Sequence, residues 1–489
     1  MSGAIDLRPA LPSLVVALTA LAALLAQAFS PRAKRAPAAG IALFGLAAAT
    51  VLTVLLRLDP GPAASLGGSF VTDGLSLYLH FVVLGVAAAA VLLSPGYLRS
   101  TRGERGEYYA LVLFSAVGML GLVSTTELVS LFVALEIMSV ALYALTGFHR
   151  ESEPSQEAAL KYFVTGAFSS ALFLYGVALL YGLSGTTRLE GIAAKLQTCC
   201  CTGPLDSGPN ALALAGVALL LVGLGFKVAS APFHMWAPDV YEGAPTSVTA
   251  FMSAGVKVAA FGAALRILGE GVPSLATHWR PAVAVLALLS MVLGNLGALA
   301  QTSLKRMLAF SSVAHAGYLL TALVAGPMAA AEAVLFYLVA YAAVSLGTFG
   351  AIAALHREGK EPTSCADLAG LATRRPALAA ALALFLISLI GVPVSAGFVG
   401  KLYLFKAAVG AGYTWLAVVG VLMSVVSAFY YLRVVVAMYM ESPAREDAWA
   451  ALGLGERVAL AVQAAVVLGL GLFPDPLVRA ARVAALALL

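Results

Sequence analysis

Glu136, Lys161, Lys227, Lys257 and Lys401 each lie inside, or at the mouth of, a long apolar segment, where a charged side chain is hardest to place. At a helix centre in a bilayer a Lys or Asp costs about 2.5 to 3.5 kcal/mol, so four or five of them oppose insertion by roughly 10 to 15 kcal/mol if left unpaired. Residues kept against that cost read as a charge pathway, a series of acids and amines able to exchange protons. Glu136 has only apolar or small neighbours over Leu128 to Ala144, so its counter-charge must come from another helix, and Lys227 is the expected partner. A carboxylate within about 4 to 6 Å favours the charged amine, and loss of that contact favours the neutral one. A pair that opens and closes is therefore a switch of proton affinity. Lys257, central in Pro245 to Leu268, and Lys401 extend the path. The plainer reading of Glu136 and Lys227 is a static ion pair that fixes helix register. That reading does not reach Lys257 and Lys401, because the intramembrane lysines outnumber the acids.

Three further positions carry two readings each. Lys161, near the start of the sixth apolar segment, belongs either to the path or to the interface, toward which a long side chain can snorkel. His234, next to Trp236, is either an interfacial anchor or a proton relay, since imidazole titrates near neutral pH, and His315 stands between a structural and a relay role in the same way. His80 is expected to be a structural residue facing lipid or a neighbouring helix.

The elements that hold these groups follow from composition. The chain has 489 residues, 61% of them hydrophobic and only 11% charged, against about 25% charged in soluble domains, which excludes a single soluble core. Apolar runs of about 18 to 26 residues match a hydrocarbon core of about 30 Å, whereas barrel strands alternate over about ten. The expected fold class is therefore an all-α polytopic membrane protein. About 14 transmembrane helices are expected, beginning near Leu11, Ala36, Leu75, Tyr108, Leu128, Leu160, Ala211, Pro245, Pro281, Met307, Ala329, Ala377, Ala411 and Arg457. Leu11 to Phe29 reads as a retained first span, because Asp6 and Arg8 before it give no net positive charge. Only Gly185 to Pro209 and His356 to Pro376 are long enough for structure outside the membrane. Most Lys and Arg lie in the odd-numbered loops (Arg32, Lys34 and Arg35, then Arg99, Arg102 and Arg105, Lys305 and Arg306, and Arg357, Lys360, Arg374 and Arg375), which places both termini on the periplasmic side.

No CxxC, CxxCH, GxGxxG or GxxxxGK[ST] pattern occurs, so no haem, iron–sulfur cluster, nucleotide or flavin site is indicated. Cys199, Cys200 and Cys201 are consecutive and cannot form the spaced cage of a structural zinc, and Cys365 belongs to the opposite side of the membrane. The overall charge of +5 is mostly the loop bias, and no basic patch supports nucleic-acid binding.

Two segments are broken. The seventh runs into Lys227-Val-Ala-Ser-Ala-Pro232-Phe-His234-Met-Trp236, and the twelfth contains Gly391-Val-Pro393-Val-Ser395-Ala-Gly397-Phe398 before Lys401. Proline removes a donor and clashes with the preceding turn, so each segment becomes two half-helices with freed carbonyls between them, or else an ordinary kink. Breaks at corresponding positions of two halves mark inverted-repeat transporters. A weak repeat supports the pairing: Gly118-Met-Leu-Gly121 with Thr126-x-Leu128 recurs as Gly294-Asn-Leu-Gly297 with Thr302-x-Leu304, and Tyr162-Phe163 as Phe336-Tyr337. Helices 4-8 and 9-13 then form two inverted five-helix repeats, each with a broken helix (7 and 12). Glu136 falls opposite Ser312, one turn from His315. The expected units are 1-106 (helices 1-3), 107-270 (first repeat), 271-440 (second repeat) and 441-489 (helix 14).

The run from Phe226 through Lys227, Pro232, His234, Trp236, Pro238, Asp239, Tyr241, Glu242, Gly243, Pro245 and Thr249 to Phe251, followed by Lys257, resembles the signature of subunit N of the bacterial proton-pumping NADH:quinone oxidoreductase, respiratory complex I, an antiporter-like membrane subunit family. Glu127-Leu-Val-Ser-Leu-Phe-Val-Ala-Leu-Glu136 and Leu160-Lys161-Tyr162-Phe163 fit the same subunit, and the likeness spans nearly the whole chain. The resemblance implies a multi-pass protein of the bacterial inner membrane that moves protons with no cofactor of its own. NADH, FMN, iron–sulfur clusters and quinone would be bound by other subunits, and the implied partners are the antiporter-like subunits M and L, the small subunit K and their neighbours. It also implies roles: Glu136 and Lys227 as the input pair, Lys257 as central relay, Lys401 as the exit-side residue. The paralogous subunit M has a glutamate at the place of Lys401, and subunit L continues into a long lateral helix where this chain stops at Leu489. The run Cys199 to Cys201 has no counterpart in the family pattern. Two other classes stay open, a multisubunit cation/proton antiporter or membrane-bound hydrogenase, against which the Tyr-Glu-Gly-Ala-Pro run argues, and a non-conducting scaffold, which should have lost the buried lysines.

Overall fold

The computed structural model describes residues 7–29, 38–59, 64–65, 68–101, 103–199, 208–356, 361–442 and 449–488. Long apolar runs leave the backbone no partner but itself in a bilayer, and the described chain is accordingly almost entirely helical. The first group is α1 (Leu11–Phe29), α2 (Ala38–Leu58) and α3 (Gly74–Ser100). A second runs through α4 (Gly106–Ser124), α5 (Leu128–Thr146), α6 (Glu153–Ser184), α7 (Leu189–Cys199), α8 (Gly208–Lys227), α9 (Ala237–Gly243) and α10 (Thr246–Arg266). A third runs through α11 (Ala276–Leu299), α12 (Leu304–Leu323), α13 (Pro327–Ala353), α14 (Leu371–Arg374), α15 (Pro376–Ile390), α16 (Ala396–Gly410) and α17 (Thr414–Met440). The chain ends in α18 (Leu454–Leu472) and α19 (Asp475–Ala485).

Twelve helices among the described residues are long and apolar enough to cross a membrane. The remaining two expected segments are α12, whose 20 residues include Lys305, Arg306 and His315, and the pair α15 and α16, 15 residues each; none of the three meets that measure alone. The long loops hold α7 and α14. Two elements escaped the sequence reading: a short antiparallel ribbon, β1 (Ala64–Ser65) with β2 (Phe70–Val71), and α19 behind the last long helix. In α19 a small face of Ala481, Ala484 and Ala485 is buried, while Arg482 reaches Glu332 at 3.3 Å. Arg32, Lys34, Arg35, Arg102, Arg357 and Lys360, which weigh on orientation, and Cys200 and Cys201 lie outside the described residues.

Both breaks are present. α8 stops at Lys227, irregular backbone follows with Ala229 at φ 57°, and the chain resumes as α9. α15 stops at Ile390, Gly391 turns left-handed at φ 89°, Val394 sits at φ 73°, and α16 begins at Ala396. A β-branched residue at positive φ costs on the order of 1 to 3 kcal/mol and persists only where its surroundings hold it, which fits a break fixed by packing.

The two repeats are visible in matched contacts. Glu127 bridges to Arg188 in the first, and Ser303 to Ser364 in the second. The Leu128 amide donates to the Thr187 carbonyl at 2.9 Å, and the Leu304 amide to the Thr363 carbonyl at 2.8 Å. Glu127 caps α5 through its carboxylate as Ser303 caps α12 through its hydroxyl. Gly118 lets the backbone of α4 meet α5 at Ala134 and Met138, and Gly294 lets α11 meet α12 at Phe310 and Ala314, at the same spacing.

Because a Cβ on Gly294 would collide with the backbone of Ala314, Gly294→Ala should lower stability by about 1 to 3 kcal/mol. Gly326→Ala meets nothing within 4 Å among the described residues and should be silent. Thermal melting of detergent-solubilised protein separates the two.

Candidate proton-transfer site

All of α10 is buried, so its polar side chains meet other parts of the protein. Lys257, 2% exposed, projects from it to α12, where Nζ donates to the carbonyl oxygen of Ser312 and, at 2.7 Å, to the Ser312 hydroxyl. The ammonium also lies 5.0 Å from the centre of the Tyr341 ring. That geometry supplies neutral oxygens and a π face, and no carboxylate pairs with Lys257 among the described residues.

One turn past Ser312 stands His315, 2% exposed. Its Nδ1 lies 2.6 Å from the Tyr337 hydroxyl and its Nε2 3.2 Å from that of Tyr431. Tyr341, one turn from Tyr337 on α13, donates to Ser312 at 2.9 Å. The His315 ring packs edge-on against Tyr318, and Tyr318 in turn lies under Lys401, whose Nζ is 4.6 Å from the ring centre. Lys401, 4% exposed, donates to the carbonyls of Leu389 and Ile390, both at 2.9 Å, and to Ser424 at 3.1 Å. Those carbonyls end α15: they are the acceptors that the break sets free, and the negative end of a half-helix dipole faces the ammonium. Lys257, Ser312, Tyr341, His315, Tyr318 and Lys401 thus form one file of polar and aromatic groups, from α10 through α12 and α13 to α16.

The first repeat differs from expectation at one point. Glu136 and Lys227 do not form a direct ion pair. Lys227, 2% exposed at the end of α8, donates to Ser139 at 2.7 Å and Tyr143 at 3.3 Å, while Glu136, half-buried, accepts from Ser170 of α6. Ser139 is one turn from Glu136 on α5, so the ammonium rests beside the carboxylate's own helix, about 5 Å along it. The hydroxyls of Ser139 and Ser170 take the places that each charge would otherwise fill. Between Lys227 and this file runs a chain of aromatic rings: Tyr143 edge-on to Tyr162 at 4.8 Å, Tyr162 stacked on Trp236 at 4.5 Å, Trp236 edge-on to Tyr241 at 6.2 Å, and then the Tyr241 hydroxyl 3.4 Å from Ser312.

Lys161 and the histidines sort out differently. Lys161, with a side chain 43% exposed, pairs with Glu157 at 2.7 Å and Asp239 at 2.6 Å, and Asp239 also holds Arg306 at 2.6 Å. It joins a partly exposed network tying α6 to α9 and α12, apart from the buried file. His234 is half-buried against the edge of Phe310, outside the file, with Met235 beside it turned outward. His80 is buried, 2.6 Å from Ser124, which is the helix-facing alternative. Ser139, Ser170, Tyr143, Tyr341, Tyr431 and Ser424 went unnoticed in the sequence, and Tyr337 was read there only as part of the repeat. Tyr337 and Tyr341, four apart on an apolar helix, were the signal available for two of them. Among the described residues no three His, Cys, Asp or Glu side chains gather as a metal site would require.

Residues 125–427 match the sequence family described as NADH:quinone oxidoreductase/Mrp antiporter, TM. The chain belongs to that family. A subunit N of NADH-quinone oxidoreductase from Trichlorobacter lovleyi is 41% identical, covering 98% of this chain and 96% of its own. A chain of respiratory complex I from Thermus thermophilus is 36% identical with a TM-score of 0.79, covering 96% of this chain and 98% of its own. A chain of the Mrp complex from Dietzia is 23% identical, with a TM-score of 0.83 over 99% of this chain and 98% of that one, and shares the fold. Within this antiporter-like family the chain sides with subunit N, at around 40% identity over nearly its full length.

Proposed function

We propose that this chain is the proton-translocating subunit N of a bacterial NADH:quinone oxidoreductase. The observation that carries this reading is the buried file from Lys257 through His315 to Lys401, which holds two amines and an imidazole on neutral partners in an otherwise apolar bundle. Groups that swap protons need partners that hold the charged form without a permanent counter-ion: carbonyls do so by accepting hydrogen bonds, and hydroxyls can in addition pass a proton on. Lys227 and Glu136 form the gate on the first repeat: moving the ammonium from Ser139 to Glu136 closes the pair and favours the charged amine, and moving it back releases a proton more readily. Lys257 is the central carrier, and Lys401 the last before release. Lys161 and His234 act at the periphery, Lys161 by holding the break through Asp239.

In this reading the chain crosses the inner membrane about fourteen times, with helices 1-3 in 1-106, the repeats in 107-270 and 271-440, and the last span in 441-489. Both termini face the periplasm, which an impermeant label on a terminal cysteine reports. The chain carries no cofactor: NADH, FMN, iron–sulfur clusters and quinone belong to other subunits, and it packs beside the antiporter-like subunits M and L and the small subunit K. The energy comes from redox chemistry outside the chain, and the chain's residues only hold and pass protons. Sodium/proton exchange is the competing reading, since the fold is shared with an Mrp complex. Inside-out vesicles in sodium-free buffer should acidify on adding NADH, and an imposed sodium gradient without NADH should leave lumen pH unchanged. Acidification driven by sodium alone would favour the antiporter.

A further inference from the structure

The buried file has amines at its heart but, so far, no source. Along α10 the hydroxyl positions 246, 247 and 253 lead toward Lys257, and each meets a partner from another helix. At the end of α10, Thr246 donates its amide to the Tyr97 hydroxyl at 3.1 Å and its own hydroxyl to Glu361. Lys305 Nζ donates to Thr246 at 3.1 Å and to the Ala244 carbonyl at 2.9 Å, and stands 3.5 Å from the Glu361 carboxylate. His149 stacks on Tyr97 with ring centres 5.9 Å apart, and its Nε2 is buried with no hydrogen-bond partner among the described residues. Next along the helix, Ser247 accepts from Tyr108 at 2.9 Å, and Tyr108 from Ser94 at 3.0 Å. Farther in, Ser253 and Ser345 lie 2.7 Å apart, and Ser345 shares α13 with Tyr341, which bonds the same Ser312 as Lys257.

We propose that Glu361, with His149 and Lys305, forms the proton-uptake mouth for Lys257, feeding it along the hydroxyls of α10. The cluster sits at the end of α10 shared with the loop between α13 and α15, the loop whose arginines and lysines mark the proposed cytoplasmic side. Between Ser247 and Ser253 the helix rises roughly 9 Å, a stretch that one or two waters bridge when they enter between the rungs. Burial pushes the Glu361 carboxyl up, but the Lys305 ammonium and hydrogen bonds from Thr246 and Tyr97 outweigh it and hold the group below the ordinary carboxylate range. Burial pushes the His149 imidazole down from its usual value. At neutral pH both groups are therefore unprotonated acceptors, which is the state a mouth needs. In the transfer itself a proton from bulk water adds to Glu361 or His149, Glu361 passes a proton to the Thr246 hydroxyl as that hydroxyl gives its own to an entering water, and the water hands one on to Ser247, with the charge on Lys305 unchanged.

The proposal rests on the proton-translocating reading, and the test separates the two. Glu361→Gln in the intact complex should slow NADH-driven acidification about tenfold, the low end of what a positioned proton-transfer group contributes after allowing for leakage through His149, with Glu361→Asp restoring part of the rate and the solvent deuterium isotope effect rising. A purely structural ion pair with Lys305 predicts instead that the neutral double variant Glu361→Gln with Lys305→Met regains native pumping and an unchanged isotope effect. That recovery, or native pumping in a fully assembled Glu361→Gln complex, overturns the mouth. Lys257→Met is run in parallel: if it abolishes pumping while Glu361→Gln does not, only the mouth is wrong, and if neither alters pumping the functional reading falls as well.

Discussion

Lys257→Arg should cut proton pumping and coupled quinone reduction about tenfold or more while the complex still assembles. The substitution keeps a positive charge at a site that already satisfies one, through Ser312 and the Tyr341 ring. It removes only the capacity to release a proton, because a guanidinium does not deprotonate in proteins. A lysine that merely shaped the local field would tolerate Arg better than Met. A proton carrier tolerates neither, and Lys257→Met should be as inactive as Lys257→Arg. The extra volume of Arg beside fully packed α10 is the confounding effect, so complex content on native gels accompanies the activity, and quinone reductase rates are normalised to it. Native rates in the Arg variant would reduce Lys257 to a fixed charge.

Glu136→Gln should be nearly as damaging, with losses on the order of tenfold in both pumping and coupled turnover. The geometry makes this a clean change: the side-chain oxygen of Gln can still accept from Ser170, so the packing between α5 and α6 is kept, and what vanishes is the negative charge that Lys227 would approach. Glu136→Asp keeps the charge on a shorter arm and should be milder. Lys227→Ala should be at least as severe, since it empties a buried site next to Ser139 and Tyr143 and leaves Glu136 without a cation to meet. Full pumping per electron in Glu136→Gln membranes would remove the gate from the account and leave Lys227 as a hydroxyl-bound structural amine.

The sequence exposed what depends on single residues against an apolar background. A lysine in a run of Val, Ala and Leu is conspicuous, and so are Pro232 and Pro393 in the middle of segments, which is why the breaks, the repeat and Lys227, Lys257 and Lys401 were readable in advance. Their partners were not. Serines and tyrosines are common in membrane helices, and whether Ser139 faces a lysine, or Ser170 a carboxylate, depends on helix rotation, which apolar periodicity fixes poorly when a helix is apolar all round. Glu136 and Lys227 are not in direct contact for this reason: complementary charge does not set helix rotation, and the hydroxyls of Ser139 and Ser170, one turn from the carboxylate and across from it, satisfy each group separately. Lys401 was found but its ligands were not, because they are backbone carbonyls and any residue could carry them. The helix α19 was missed because an alanine face with Arg479 and Arg482 looks like a loop beside segments of far greater apolarity.

The central claim is that protons cross through the buried amines of this chain. It is tested most directly by measuring protons moved per electron in inside-out vesicles holding equal amounts of assembled native and Lys257→Met complex, with a pH-sensitive dye reporting the lumen and NADH consumption measured in the same cuvette. The account predicts that the Lys257→Met complex falls in NADH consumption and in acidification, and that whatever electron transfer remains moves fewer protons per electron than the native complex. An unchanged ratio at a native rate of NADH consumption would contradict it.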